Sequence, residues 1–456
     1  MHAWLVEGKI IPKKRISIIG TGFVGLCTAV GFASKGYDVI TSTNDPEKAA
    51  LIKRGIPPFY ESKLKELLQR VVGDGYLRCL TEREEAILNT EITFVTVGTP
   101  SQPNGSIDLQ FIEKSAYEIA EALQKKIAYH LLVVKSTVIP NTTEKMFRHI
   151  LEEHSGKRCG QEFGICVNPE FLREGSAIHD TLHPDRIIIG EYDKRSGDTL
   201  ESLYRGFYGP DLPTILRTNP QTAELIKYAN NAFLAMKVSF INSIANLCER
   251  IPGADVATVA KGIGLDERVG PLFLRAGLGY GGSCLPKDVK ALIAFSRDSG
   301  YEPTLIDAIE EVNRVQVYRA VEFTEKLVGD LKEKQIAVLG LAFKPGTDDM
   351  REATSTKVVN DLLNKGAKVV VYDPMAIDKA KEIFDDRVSY ASSALDCIRN
   401  TVCCIVVTEW DEFRNLSAED FVEHMKEPNV VDGRRIYDPE KFRRSVRLVA
   451  VGLGDY

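Results

Sequence analysis

One cysteine in this chain sits where a thiol can react. In LGYGGSCLPKD, Leu278 to Asp288, Cys284 follows two glycines and precedes Pro286, and DVKALIAF continues the segment as a helix. The residue types predict Ser283 as the helix N-cap, with Cys284 and Pro286 in the first turn. A helix N-terminus lowers the pKa of a thiol, so Cys284 reads as a nucleophile. Gly281 and Gly282 remove side chains that would keep a substrate off the backbone, and Asp288, four residues after Cys284, falls on the same helical face. The alternative is a buried structural cysteine beside a capped turn. Two further pairs have chemical spacing. Lys227 and Asn231 are four apart in LIKYANNAFLAM; if buried they need acceptors and partners, whereas a solvated face would need nothing, and both readings stand. Glu170 and Glu174 of PEFLREGSA follow the strand GICVN. Carboxylates there lie at the crevice end of a parallel sheet, where ligands bind, or simply at a solvated helix start.

A phosphate site is written more plainly. GTGFVG (Gly20, Gly22, Gly25) follows the strand RISII and opens a helix. In that context GxGxxG supplies a tight turn, close approach of a pyrophosphate to the backbone, and tight helix–strand packing, with the helix N-terminus facing the phosphates. An acid normally follows at the end of the second strand to bind the ribose 2′-OH. Here DVITST ends in Thr43 and Asn44, and Asp45 comes late. Either Asp45 reaches back, or Thr43 and Asn44 bind the ribose as neutral groups, or a 2′-phosphate is tolerated beside Lys48. NAD is the favoured cofactor, and NADP stays open because Thr43 stands where an acid is usual.

These residues need elements to position them. RISIIGTGFVG with KGYDVITSTNDP, and KQIAVLGLAFKPGT with KGAKVVVYDP, each read as strand, glycine-bearing turn, helix and strand. EITFVTVGTP, HLLVVKSTVIP, FGICVNP and RIIIG extend the first unit; CCIVVTEW and NVVDGRR extend the second. The alternation predicts two doubly wound, Rossmann-like parallel-sheet α/β domains. Between them Leu225, Ala229, Ala232, Met236, Phe240, Ile244 and Leu247 recur every three or four residues. That spacing predicts a long central helix of about 45 Å, able to join two domains or form a subunit interface. The division expected is 1–205 for dinucleotide binding, 206–310 for a central helical dimerisation region with the cysteine loop, and 311–456 for a second nucleotide.

Bulk properties exclude other classes. In 456 residues, 44% are hydrophobic and 27% charged, with a net charge of −6. This is ordinary globular composition with no electrostatic case for nucleic acid or an anionic membrane as partner. No apolar run reaches the roughly 20 residues of a membrane span. MHAWLVEGKIIPKKR lacks the order of a signal peptide, and nine cysteines without framework spacing fit a reducing compartment, so a cytoplasmic location is expected. No CxxC or clustered histidine suggests a metal.

Taken together, GTGFVGL, FVTVGTP, VVKSTV, NPEFLREGSA, HPDRIIIG, LIKYANNAFLAMKVSFIN, LGYGGSCLPKD, LAFKPGTDDMRE and VDGRR occur in the order found in the UDP-glucose/GDP-mannose dehydrogenase family, which the chain resembles from about Lys14 onward. GGSC followed by PKD, and NAFLAMKVSFIN, resemble its UDP-glucose type; relatives acting on UDP-N-acetylhexosamines or GDP-mannose are the alternative, and a non-catalytic nucleotide-sugar sensor a remote one. The resemblance implies four-electron oxidation of a sugar C6 alcohol to a carboxylate with two NAD, through a thiohemiacetal and a thioester on Cys284. It implies that Lys227 and Asn231 stabilise the developing oxyanion, that Asp288 activates water or positions Lys227, and that Glu170 is an acid/base near C6. Thr137 would contact cofactor and bound water. Cofactor contacts implied are Gly20, Gly22, Phe23, Val24, Gly25, Thr43, Asn44, Lys48, Thr99, Thr137, Glu174, Lys287 and Arg351. Substrate contacts implied are Glu170, Phe171, Leu172, Lys227, Asn231, Arg275, Gly281, Phe343, Lys344 and Arg434. Arg268 resembles an arginine supplied by a neighbouring subunit, which implies a homodimer or higher homo-oligomer.

Overall fold

In the computed structural model, residues 13–454 are described, together with the backbone of a short antiparallel pair, Trp4–Val6 and Lys9–Ile11. The segment read above for leader order lies largely outside the described side chains. The chain forms two compact units, 1–229 and 230–456. Each contains one sheet of the expected class.

The first sheet has eight strands, in the order Thr214–Thr218, Arg186–Glu191, Phe163–Val167, His130–Val134, Ile92–Val95, Ile16–Ile19, Val39–Ser42, Leu77–Leu80. All neighbours are parallel except Phe163–Val167 with Arg186–Glu191, which meet antiparallel through two residue pairs. The inner strands are continuous runs such as ISII, ITFV and HLLVV because both faces are covered by helices, and all their residues are buried. The sheet order reverses at Ile16–Ile19, which pairs with Val39–Ser42 on one side and Ile92–Val95 on the other. A ligand crevice is expected outside the carboxyl ends of strands at such a reversal. GTGFVG occupies that end.

The second sheet has six strands, all parallel: Ser389–Tyr390, Lys368–Tyr372, Gln335–Leu339, Cys403–Val406, Asn429–Asp432, Arg447–Ala450. Its reversal falls at Gln335–Leu339, the strand leading into GLAFKPG. Cys403 and Cys404 are fully buried on this sheet.

The long helix runs Pro220–Cys248, 29 residues. Its buried side differs from the stripe predicted. Of the seven positions named, Ala232 is buried and Met236 and Ile244 are half-buried, while Leu225, Ala229, Phe240 and Leu247 are exposed. Burial instead favours Tyr228, Ala235, Ile241, Ala245 and Cys248, and Phe233, Phe240 and Leu247 form a second, exposed stripe at seven-residue spacing. A helix apolar on two sides offers two such stripes to periodicity alone.

Gly25 shows how closely the first turn is packed. A Cβ there would lie 2.0 Å from the Gly20 carbonyl oxygen and 2.5 Å from Thr96 Oγ1. Backbone cannot give way as a flexible side chain would. Gly25→Ala is therefore expected to destabilise the first unit by about 2 kcal/mol or more and to abolish dinucleotide binding, measured by thermal denaturation and cofactor fluorescence titration.

Candidate active site

The dinucleotide turn is built from backbone. Gly20 has φ +102°, a conformation that favours glycine, and Thr96 Oγ1 donates to the Ile19 and Gly20 carbonyls, joining the two strand ends at the sheet reversal. Gly22 is the N-cap of the helix Phe23–Ser34, without a side-chain cap and without an acid in the first turn. A Cβ on Gly22 would meet nothing within 4 Å. A bare helix N-terminus at a glycine with open space above it fits a pyrophosphate. At the second strand's end, Thr43 is buried and Asn44 exposed. Asp45 caps the next helix, accepting from Glu47 N at 3.0 Å and Lys48 N at 3.1 Å, with Lys48 Nζ at 3.5 Å. Those amide bonds hold its carboxyl below the usual range. Thr99 Oγ1 donates to the Thr137 carbonyl at 2.8 Å, tying together the loops after two neighbouring strands.

PEFLREGSA folds over the carboxyl end of the same sheet. Glu170 is 8% exposed and Lys227 4%, and Lys227 Nζ donates to Glu170 Oε1 at 2.9 Å. The other carboxylate oxygen accepts from Leu172 N at 2.6 Å. Burial pushes the Glu170 carboxyl up, but Lys227, the Leu172 amide and Lys135 together outweigh it and leave the group ionised below its usual range. Phe171 lies under Lys227 Nζ, 5.3 Å from the ring centre, with the Arg186 guanidinium 3.8 Å from that ring. Glu174 is half-buried, in a loop held by Glu61, which accepts from Gly175 N at 2.8 Å and Ala177 N at 3.0 Å. Of the open readings above, the buried one applies to Lys227 and Glu170.

In the second unit the cysteine segment differs from expectation in one detail. Cys284, not Ser283, is the N-cap, and the helix runs Leu285–Asp298 with Pro286 in its first turn. Proline in the first turn costs no hydrogen bond there, because the first helical amides lack an intrahelical partner, and Cys284 as the N-cap places its sulfur at the helix start. Cys284 is exposed and Ser283 Oγ lies 3.5 Å from its sulfur; the other eight cysteines are buried or half-buried. Burial pushes each of those eight thiols above the ordinary value. Gly282 has φ +85°, and a Cβ there would strike the Phe343 ring at 2.7 Å. Its amide donates to the Arg351 carbonyl at 3.0 Å. Asp288 is 1% exposed and accepts from Asn231 Nδ2 and Lys287 Nζ, each at 2.6 Å. Lys227 and Asn231 thus leave one helix a turn apart, the first bonded to Glu170 and the second to Asp288.

The turn after Gln335–Leu339 is unlike the first. Asp373 accepts from Leu341 N, Ala342 N and Trp410 Nε1 through one oxygen and from Met375 N and Ala376 N through the other. These bonds engage the amides that a phosphate would need. Arg434 donates to the Val407 and Gly279 carbonyls and to Thr354 Oγ1. Phe343 and Lys344 are half-buried, with Lys344 Nζ 5.5 Å from the Phe343 ring centre. Arg351 pairs with Asp349 at 2.7 Å and Arg275 is exposed. Arg268 is exposed and pairs with Asp266 at 2.6 Å.

Sequence reasoning passed over Lys135, Asn168, Glu61 and Glu224. Lys135 and Asn168 lie inside quoted motifs, and a polar residue at a buried strand end was the available signal. Glu224, 2% exposed, receives Asn141 N at 2.8 Å and Thr143 N at 2.9 Å, anchoring the long helix to the segment after KST. Among the described residues no group of three or more His, Cys, Asp or Glu could hold a metal, and no helix is long and apolar enough to cross a membrane.

Comparison with known proteins bears on this arrangement. Three models of the UDP-glucose/GDP-mannose dehydrogenase family match: its NAD binding domain over residues 14–208, its central domain over 221–315 and its UDP binding domain over 337–439. A UDP-glucose 6-dehydrogenase of Haloferax volcanii is 45% identical over 92% of this chain and 96% of that protein. One of Bacillus subtilis is 40% identical over 94% and 91%. The solved structure of a UDP-glucose dehydrogenase from Pyrobaculum islandicum superposes with a TM-score of 0.89 at 37% identity, covering 98% of this chain and 99% of that one.

Glu224 also generates a pH dependence. Burial pushes its carboxyl up to about 7, against the Thr143 and Asn141 bonds that pull it down. The native state therefore binds a proton more tightly than the unfolded chain, so stability is full below about pH 4.5 and is lost as pH rises through 7. The loss is roughly 3 kcal/mol. Glu224→Gln is expected to flatten that interval in chemical denaturation measured from pH 4.5 to 8.

Proposed function

The chain belongs to the UDP-glucose/GDP-mannose dehydrogenase family, and we propose that it oxidises UDP-glucose to UDP-glucuronate in two two-electron steps with Cys284 holding the intermediate. The observation that carries this reading is the exposed Cys284 thiol at a helix N-terminus, among eight other cysteines that burial keeps protonated. Identity to UDP-glucose 6-dehydrogenases supports the choice of sugar. Residues 1–205 would bind the dinucleotide, 206–310 carry the cysteine loop and subunit contact, and 311–456 bind the UDP.

NAD would be held by the Gly20–Gly25 turn, Thr43, Asn44, Thr99, Thr137 and Glu174, and when bound it supplies the hydride acceptor. Glu170 takes the C6 hydroxyl proton during the first oxidation, giving the aldehyde. The Cys284 thiolate adds to the aldehyde carbon, and the carbonyl oxygen becomes an oxyanion. Lys227, kept as a donor by its buried carboxylate partner, donates to that oxygen, as electrostatic stabilisation of a developing charge requires. Asn231 shares the task and orients the sugar. Loss of the second hydride from the thiohemiacetal carbon leaves a thioester. Water, aligned by Asp288 and Thr137, attacks the thioester carbon; the C–S bond breaks, the carboxylate leaves and the thiol is restored. Covalent capture keeps the aldehyde from escaping between the steps.

The second-unit residues Phe343, Lys344, Arg275 and Arg434 would bind the UDP moiety, with Arg434 also holding the Gly279 backbone. The exposed stripe Phe233, Phe240 and Leu247 supports a homodimer or higher oligomer, in which Arg268 would reach a neighbouring site. Nine free thiols fit a reducing compartment such as the cytoplasm.

The test is stoichiometry. Purified protein given UDP-glucose and NAD should produce two reduced cofactors per uronate, and UDP-N-acetylmannosamine or GDP-mannose should give none. One reduced cofactor per sugar, or turnover confined to the other sugars, refutes the proposal. Cys284→Ser should still bind both ligands and lose steady uronate production by at least about a thousandfold, as removal of a covalent nucleophile does. Lys227→Ala should reduce kcat far more than it weakens UDP-glucose affinity, since the bond it removes strengthens in the transition state. Equal losses in both would make Lys227 a binding residue only.

A further inference from the structure

The proposed mechanism leaves one cation near Glu170 without a task. Lys135 follows the strand His130–Val134 and opens KST. Its Nζ donates to Asn168 Oδ1 at 2.9 Å, a neutral partner rather than a carboxylate. Asn168, 2% exposed, is fixed on both sides: Nδ2 donates to the Ile188 carbonyl at 2.8 Å, and Tyr204 Oη donates to the same Oδ1 at 2.5 Å. Lys135, Asn168 and Glu170 line one cavity of about 80 Å³. Lys227 is bonded to Glu170 directly. Two ammonium groups therefore act on one carboxylate, leaving an excess of one positive charge in a poorly hydrated place. Like charges held together without a direct partner are destabilising, so the arrangement calls for a purpose beyond packing.

We propose that Lys135 is a positioning residue that holds Glu170 ionised and aimed at Lys227. Burial of Glu170 favours its neutral form, and a neutral Glu170 would release Lys227 from its place. The second cation opposes that. Lys135 acts through space and through Asn168, two residues ahead of Glu170, whose anchored amide sets the path of the loop. The charges agree in direction: Lys135 is among the groups that lower the Glu170 carboxyl, while dehydration first, and then Lys227, lowers Lys135 itself to about 8. Lys135 thus stays charged below about pH 8, beside a Glu170 carboxylate held ionised below its usual range. Other ionisable groups around the cavity are Arg173, paired with Asp180 at 2.6 Å, together with His183, Asp185, Arg186, Tyr204 and Tyr208; burial keeps both tyrosine hydroxyls neutral.

The inference rests on the reading of Glu170 as the acid/base near the reacting carbon, and the experiment separates the two. The pH dependence of kcat is measured by NAD reduction for the wild type, Lys135→Met, Lys135→Arg, Asn168→Asp and Glu170→Gln, with thermal midpoints recorded in parallel. Without the Lys135 charge the Glu170 carboxyl rises, so the acid limb of Lys135→Met should move up by about one pH unit. That is roughly a tenfold loss at acid pH with little loss at pH 8. Lys135→Arg should return the limb toward the wild-type position. Asn168→Asp keeps the shape, neutralises Lys135 and should move the limb in the same direction; it decides the matter if Lys135→Met does not fold. A uniform loss at every pH, or an unmoved limb, overturns the inference and makes Lys135 a structural residue. If Glu170→Gln keeps wild-type rate and limb, the reading of Glu170 fails instead, whatever the Lys135 variants do.

Discussion

A buried charge has to be answered where it is buried, and the helix Pro220–Cys248 makes that requirement twice within one turn. Lys227 and Asn231 point into poorly hydrated surroundings because the flanking positions are apolar, and each finds a carboxylate there. Glu170 meets Lys227 at 2.9 Å and Asp288 meets Asn231 at 2.6 Å. Either partner removed alone would leave a desolvated group uncompensated, which costs several kcal/mol. Within the first unit the PEFLREG loop is tied to Lys227, and within the second the cysteine helix is tied to Asn231. Glu224, one turn earlier, extends the principle to the segment after KST.

The two glycine-bearing turns show how one supersecondary unit is given two uses. In the first, the helix begins at Phe23, four residues after the strand's last residue Ile19, its N-cap is glycine, and its N-terminus faces open space. In the second, the amides of Leu341 and Ala342 are already bonded to Asp373, and the next helix starts only at Thr354. A pyrophosphate could compete for the first set and not for the second.

Cys284 is set apart by exclusion as much as by placement. Eight thiols are shielded by packing, which disfavours the thiolate, and the ninth stands exposed at a helix start, after glycines packed against Phe343 and the Glu352 carbonyl. The chain can thus carry many cysteines in its core without competing nucleophiles.

Much of this was legible in the primary structure. Inner strands such as ISII, ITFV and CCIV are apolar throughout because both faces are covered, so they read clearly. LRCL, TILRT and the two-residue Ser389–Tyr390 are edge strands, short and of mixed polarity, and escaped notice because an edge faces water on one side. Residue types and spacing determined the two α/β units, the dinucleotide turn, the cysteine at a helix start and the i, i+4 placement of Lys227 and Asn231, since each depends on local backbone geometry or on periodicity. Tertiary structure alone decided which side of the long helix is buried, that Cys284 rather than Ser283 caps its helix, that Asp45 serves as a cap and Asp373 as an anchor, and that Lys135 and Asn168 stand beside Glu170. Those outcomes depend on which groups from distant segments meet in the same dehydrated space, and spacing along a chain carries no record of that.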